Sequence, residues 1–81
     1  MTARDQRREV VASEIATYLA EHPDAADTVV GIRQWWLSRS SESASIATVR
    51  LALKELRRRG VVKATRVLGG GLIYSRWKDR C

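Results

Sequence analysis

Ser45-Ile46-Ala47-Thr48-Val49-Arg50-Leu51-Ala52-Leu53-Lys54-Glu55-Leu56-Arg57-Arg58-Arg59-Gly60-Val61-Val62 is the stretch on which the fold turns. Ile46, Val49, Leu53 and Leu56 recur at helical spacing and make one apolar stripe. Thr48, Arg50, Lys54, Arg57 and Arg58 lie off that stripe. Ser45 is placed to act as N-cap, its hydroxyl accepting a bond from an amide that the first turn leaves unpaired. Gly60 suits the left-handed position just past a helix end. The stretch predicts a capped, amphipathic, basic helix over 46–59, followed by a strand. A helix that packs on one side and shows cations on the other has the form a DNA groove reader needs.

The charge of the chain is concentrated around that helix. The net charge is +6 over 81 residues. Residues 1–42 hold five Lys/Arg and seven Asp/Glu, a net −2, whereas residues 43–81 hold ten and two, a net +8. Such asymmetry points to a polyanionic partner, nucleic acid before an acidic membrane surface. The plainer alternative is a solvated, solubilising face. A length of 81 residues predicts one domain with a modest core and no disulfide framework. Cys81 is the single cysteine, so no bridge within the chain can form, and a cytoplasmic setting is expected. No apolar run approaches the roughly 20 residues that span a bilayer, and no signal-like stretch follows the polar start of the chain.

Upstream of the basic helix, two more helices are expected. Val11, Ile15, Tyr18 and Leu19 repeat at helical spacing over residues 7–21, with Ala12 and Ala16 as small fillers. His22-Pro23-Asp24 ends that helix, because a residue before proline avoids the helical region. A second helix is predicted over 28–38, with Thr28 as N-cap. Its apolar face is Val29, Ile32, Trp36 and Leu37, broadened by Val30 and Trp35. Adjacent tryptophans project about 100° apart on a helix, so Trp36 is assigned to the core and Trp35 to its edge or to a contact surface. Gly31 costs the helix up to about 1 kcal/mol, which suggests close packing against a neighbour. Residues 38–44 carry four serines and read as a loop.

Downstream, Val61–Leu68 is rich in β-branched residues, Gly69-Gly70-Gly71 interrupts it, and Leu72–Trp77 resumes the pattern. Two strands about a glycine turn predict a β-hairpin. A phosphate-cradling glycine loop is set aside, because no Lys-Ser/Thr and no helix follow. Trp77 is assigned to closing the small core beneath the hairpin. The fold class expected is mainly α with a small hairpin, an α+β domain.

Nothing pairs a nucleophile with its base, and the one histidine and one cysteine lie far apart. No repeated Cys or His spacing suggests a metal site. The expectation is a protein that is not an enzyme, with no catalytic residue, cofactor or metal.

The order helix, helix, capped basic helix and hairpin resembles the winged helix-turn-helix fold. Ser45-Ile46-Ala47-Thr48-Val49-Arg50, with Leu53, Leu56, Gly60, Val61 and Val62, is similar to the recognition-helix pattern of GntR-type and related bacterial regulators. Those share a serine cap, a Thr-Val-Arg triplet, two leucines and a Gly-Leu-Val exit. The resemblance implies three helices and a C-terminal wing over 61–77. The domain would span 8–77, between a flexible arm (1–7) and a flexible tail (78–81). It implies sequence-specific binding of double-stranded DNA and a role in transcription regulation. Ser45, Ala47, Thr48 and Arg50 would lie near base edges or phosphates. Arg50 would bond a guanine edge or a phosphate, and Lys54 a phosphate. Arg57 and Arg58, with Arg59, would clamp the backbone or complement the helix dipole. Arg66, near the wing tip, would meet the adjacent minor groove or phosphates. The chain departs from the pattern in a longer link before the basic helix and in Leu51, where related regulators often carry a second arginine. It is also too short for an effector domain.

Two other classes remain open on sequence. One is a winged-helix module that docks a protein partner through Trp35 and Leu51, since tryptophan is favoured at binding hot spots. The other is an RNA binder, with Tyr74, Arg76 and Trp77 offering rings among cations for base stacking. No membrane partner is expected, because a membrane-surface helix usually shows a bulkier apolar face than Ile46, Val49, Leu53 and Leu56 provide. A homodimer is a further expectation, through Leu51, Trp35 or the first helix, because paired units read paired half-sites.

Overall fold

The computed structural model describes residues 3–37 and 45–77. The serine-rich loop, and with it the link before the basic helix, lies outside the described residues, as does the tail over 78–81. Helix α1 is Ala3–Glu21 and begins within the segment expected to be a free arm. Val11, Ala12, Ile15 and Leu19 are buried along one face of it, as their spacing requires. It stops before Pro23, with the His22 amide donating to the Tyr18 carbonyl at 2.8 Å.

The chain then makes a strand that the sequence does not announce. Ala26–Asp27 (β1) pairs antiparallel with the last strand, Ala26 against Ser75 and Asp27 against Tyr74. Helix α2 follows at once over Val29–Gly31 and runs into a π-helical segment, Ile32–Trp36. Thr28 caps it as expected, its Oγ1 accepting from the Gly31 amide at 3.1 Å. The π turn closes with the Leu37 amide donating to the Ile32 carbonyl at 3.2 Å. Widening the turn brings both Trp36 and Leu37 to the side of Ile32, and all three are buried. Val30 and Trp35 do not broaden the buried face: both are exposed, while Ile32, Trp36 and Leu37 are buried and Val29 packs half-buried against them.

Gly31 earns its place against Asp27. A Cβ there would collide with Asp27 Oδ1, the atom that accepts the Thr28 amide at 2.8 Å. Gly31→Ala must turn that carboxylate away and lose its bond to the chain, at about 1 kcal/mol or more. Alanine otherwise favours a helix over glycine by about 1 kcal/mol. In an Asp27→Ala background the same substitution is therefore expected to stabilise the fold. A double-mutant cycle by chemical unfolding checks this dependence on Asp27. Equal effects of Gly31→Ala in both backgrounds would refute the packing account.

Helix α3 is Ile46–Arg58. Val49, Ala52, Leu53 and Leu56 are buried on it, and α1 supplies most of what they pack against. The exit is a Schellman motif. Gly60 (φ 76°) donates to the Arg57 carbonyl at 3.1 Å, and Val61 to the Leu56 carbonyl at 2.9 Å. Strands β2 (Val62–Arg66) and β3 (Leu72–Arg76) form the expected hairpin, in register from Val62 opposite Arg76 to Arg66 opposite Leu72. Gly69 and Gly70 take φ of 91° and 83° at its turn, a region that side chains rarely adopt. The sheet order is β1-β3-β2, so the hairpin is part of a three-stranded antiparallel sheet. Val62 and Tyr74 close the core from the sheet side. The described residues form an α+β domain of three helices and one small sheet. No helix among the described residues is long and apolar enough to cross a membrane.

Candidate functional site

The solvent side of α3 follows from its buried side. Ala47, Arg50, Leu51, Lys54, Arg57 and Arg58 are all exposed. Arg50, Lys54 and Arg57 stand at i, i+4 and i+7, which aligns three cations along one line of the helix. None of the three has a hydrogen-bond or ion-pair partner among the described residues. Their charge is held by the backbone of a well-packed helix and is left for solvent or a ligand.

The arginine cluster divides in two. Glu55 takes both later members: Arg58 Nη1 donates to its Oε1 at 3.1 Å, and Arg59 Nε to its Oε2 at 3.0 Å. Pairs this exposed add about 0–1 kcal/mol each, so they orient the guanidinium groups more than they stabilise the fold. Arg58 still reaches solvent, while Arg57 points its charge outward without such a tether.

Ser45 and Thr48 belong to the cap. Ser45 Oγ accepts from the Thr48 amide at 3.1 Å and lies 3.0 Å from Thr48 Oγ1. The cap fixes where the helix starts, and so where Ala47 and Arg50 stand. Ser45→Ala is expected to cost about 1 kcal/mol, lowering the melting temperature by about 4–8 °C. Calorimetry reads it, and an unchanged melting temperature would show that the cap contributes nothing.

Lys54, Arg57 and Arg58 from α3 line one open groove with Val62, Lys63 and Ala64 of β2 and with Trp77. Trp77 is 51% exposed, which corrects its assignment to the core. Its amide donates to the Val61 carbonyl at 2.9 Å, so the ladder is extended while the ring stays at the surface. The physical reason is strand parity. Tyr74 is buried, and a residue three positions on faces the other side of the sheet. Lys63 enters the site by the same rule, as the neighbour of buried Val62; its signal in the sequence is the alternation along Val62-Lys63-Ala64, which sets it on the face away from the core.

Arg66 is exposed at the end of β2, where it pairs with Leu72. It lies on the opposite face of the strand from Lys63, since the two are three residues apart, and it is not in the groove. The extreme tip of the hairpin is Leu68, which is fully exposed. Trp35 and Leu51 are exposed as well, at separate places among the described residues. Trp35 borders a cavity between α1 and the π turn, and Leu51 sits among the cations of α3. Tyr74 is buried, so of Tyr74, Arg76 and Trp77 only the last two face solvent. Among the described residues, no group of three or more His, Cys, Asp or Glu is placed to hold a metal.

Comparison of the chain with protein-family models, curated proteins and solved structures finds no match to any of them.

Proposed function

We propose that this chain is a winged-helix domain that binds double-stranded DNA, with α3 in the major groove and the β2–β3 hairpin as a wing beside it. The observation that carries the reading is the line Arg50, Lys54 and Arg57 on the solvent side of α3. It is free of protein partners among the described residues and is continued at the groove by Lys63. A 13-residue helix is about 20 Å long, and the major groove, about 12 Å wide, admits one. The capped end brings Ala47 and Arg50 toward base edges, and the later cations toward phosphates. The order of three helices and a hairpin supports the fold assignment, and a regulatory role follows from the likeness of residues 45–62 to bacterial regulators.

Fluorescence anisotropy with a random-sequence duplex, titrated at several salt concentrations, tests the reading. Three or four phosphate contacts predict a log–log slope of about −3 to −4, with micromolar binding at low salt. Absence of binding at low salt, or a slope near zero, would refute it. A second reading, docking of a protein partner, rests on the exposure of Trp35 (62%). Apolar docking of that kind is insensitive to salt, so the same titration separates the two.

A further inference from the structure

A second site lies away from every cation discussed above. Ser13, Glu14, Thr17, Tyr18, Glu21 and His22 of α1 and its end line, with Trp35 and Trp36, a half-open cavity of about 310 Å³. That volume is in the range of small-ligand sites. Its floor is an aromatic column. The Tyr18 ring stacks on Trp36, centroids 4.8 Å apart and planes 13° apart, and His22 lies 4.4 Å from Tyr18 on a tilted plane. Trp36 is buried and fixes the column, whereas Trp35 leaves its ring to solvent at the wall. Glu14 and Glu21 stand at i−4 and i+3 from Tyr18, so both carboxylates share its face of the helix. Neither has an ion-pair or hydrogen-bond partner among the described residues.

Rings with two unpaired carboxylates attract a cation, and the rings select which kind. An aromatic wall cannot replace the water held by sodium or magnesium, but it suits the diffuse charge of an alkylated ammonium. Charge on the larger scale agrees. The cavity belongs to the net-negative part of a chain that is otherwise strongly basic. We infer that this cavity binds a small organic cation of the alkylammonium class, with the solvent-facing ring of Trp35 meeting its methyl or methylene groups, the Tyr18 column backing the site, and Glu14 and Glu21 meeting its charge. The site shares no residue with α3 or the hairpin, so it stands whether or not the chain binds DNA.

Choline chloride is the probe, and 3,3-dimethylbutanol, its neutral isostere, is the comparison. Amide and indole shifts in ¹H–¹⁵N spectra are followed during titration, with sodium chloride matching ionic strength. The expected result is saturation in the millimolar range, confined to residues lining the cavity. The isostere should bind about fivefold or more weakly, and Glu14→Gln or Glu21→Gln should narrow that gap. Equal binding of the neutral isostere would overturn the proposal, and so would shifts that never saturate or that spread over the surface. The isostere comparison uses the unaltered protein and does not depend on the variants folding.

Discussion

A Lys54→Ala/Arg57→Ala variant is expected to bind duplex DNA about 100-fold more weakly than the parent at low salt. Both side chains are exposed and without protein partners among the described residues, so their removal takes away ligand contacts and no packing. A charge-assisted bond to phosphate contributes about 1.5 kcal/mol or more, and two such losses give the stated factor. The salt dependence supplies a separate signature. Each phosphate contact contributes about 0.9 to the log–log slope, so the slope should become shallower by about 2. Thermal stability should stay within about 0.5 kcal/mol of the parent, as for surface substitutions in general. Weaker binding with an unchanged slope would place these cations away from the phosphates. Arg50→Ala separates base reading from phosphate contact. A guanine contact is lost with specificity, whereas a phosphate contact is lost equally for every sequence.

Leu53→Ala is expected to have the largest effect on stability. Leu53 is fully buried on α3 within the cluster that joins α1, the π turn and the sheet. Truncation removes the transfer energy of the side chain and leaves a cavity, together about 3 kcal/mol or more. Domains of this length have about 4–12 kcal/mol in total, so the loss is a large fraction. The melting temperature should fall by about 12–24 °C, read by calorimetry or circular dichroism. A fall of under 4 °C would mean that α3 is not the centre of the core. The contrast between Leu53→Ala and the Lys54/Arg57 pair is itself informative, because one helix then supplies stability from one side and binding from the other.

The parts of this molecule that could be read from the sequence are those set by local chemistry. Ser45, Gly60 and the stripe residues Val49, Leu53 and Leu56 act within one helix and take their expected places, while Ile46, at the capped end, is only half-buried and lies outside the core cluster. Thr28 and the β2–β3 hairpin are of the same kind. Strand β1 is different. Ala26 and Asp27 have no strand tendency of their own, and they pair because β3, distant in sequence, leaves an edge beside them. The π turn is also hidden, because a 3.6-residue period places Trp36 correctly but gives no reason for Leu37 to turn inward with it. In the candidate site, the cations of α3 could be read from the helix wheel. The pairing of Arg58 and Arg59 with Glu55 was available from spacing alone, at i+3 and i+4. For Trp77 the general tendency of tryptophan to be buried yields to strand parity, which sets it on the face opposite Tyr74. The cavity at Tyr18 and Trp35 required the three-dimensional approach of α1 to the second helix, which no periodicity encodes.

The most direct test of the central claim is a map of the surface that DNA touches. ¹H–¹⁵N spectra of the protein, titrated with a short random duplex at low salt, locate it residue by residue. The account predicts shifts concentrated at Ala47, Arg50, Leu51, Lys54 and Arg57 of α3, at Lys63 of β2 and at Trp77. Shifts centred instead on Trp35 and the outer face of α1, with α3 unmoved, would contradict it.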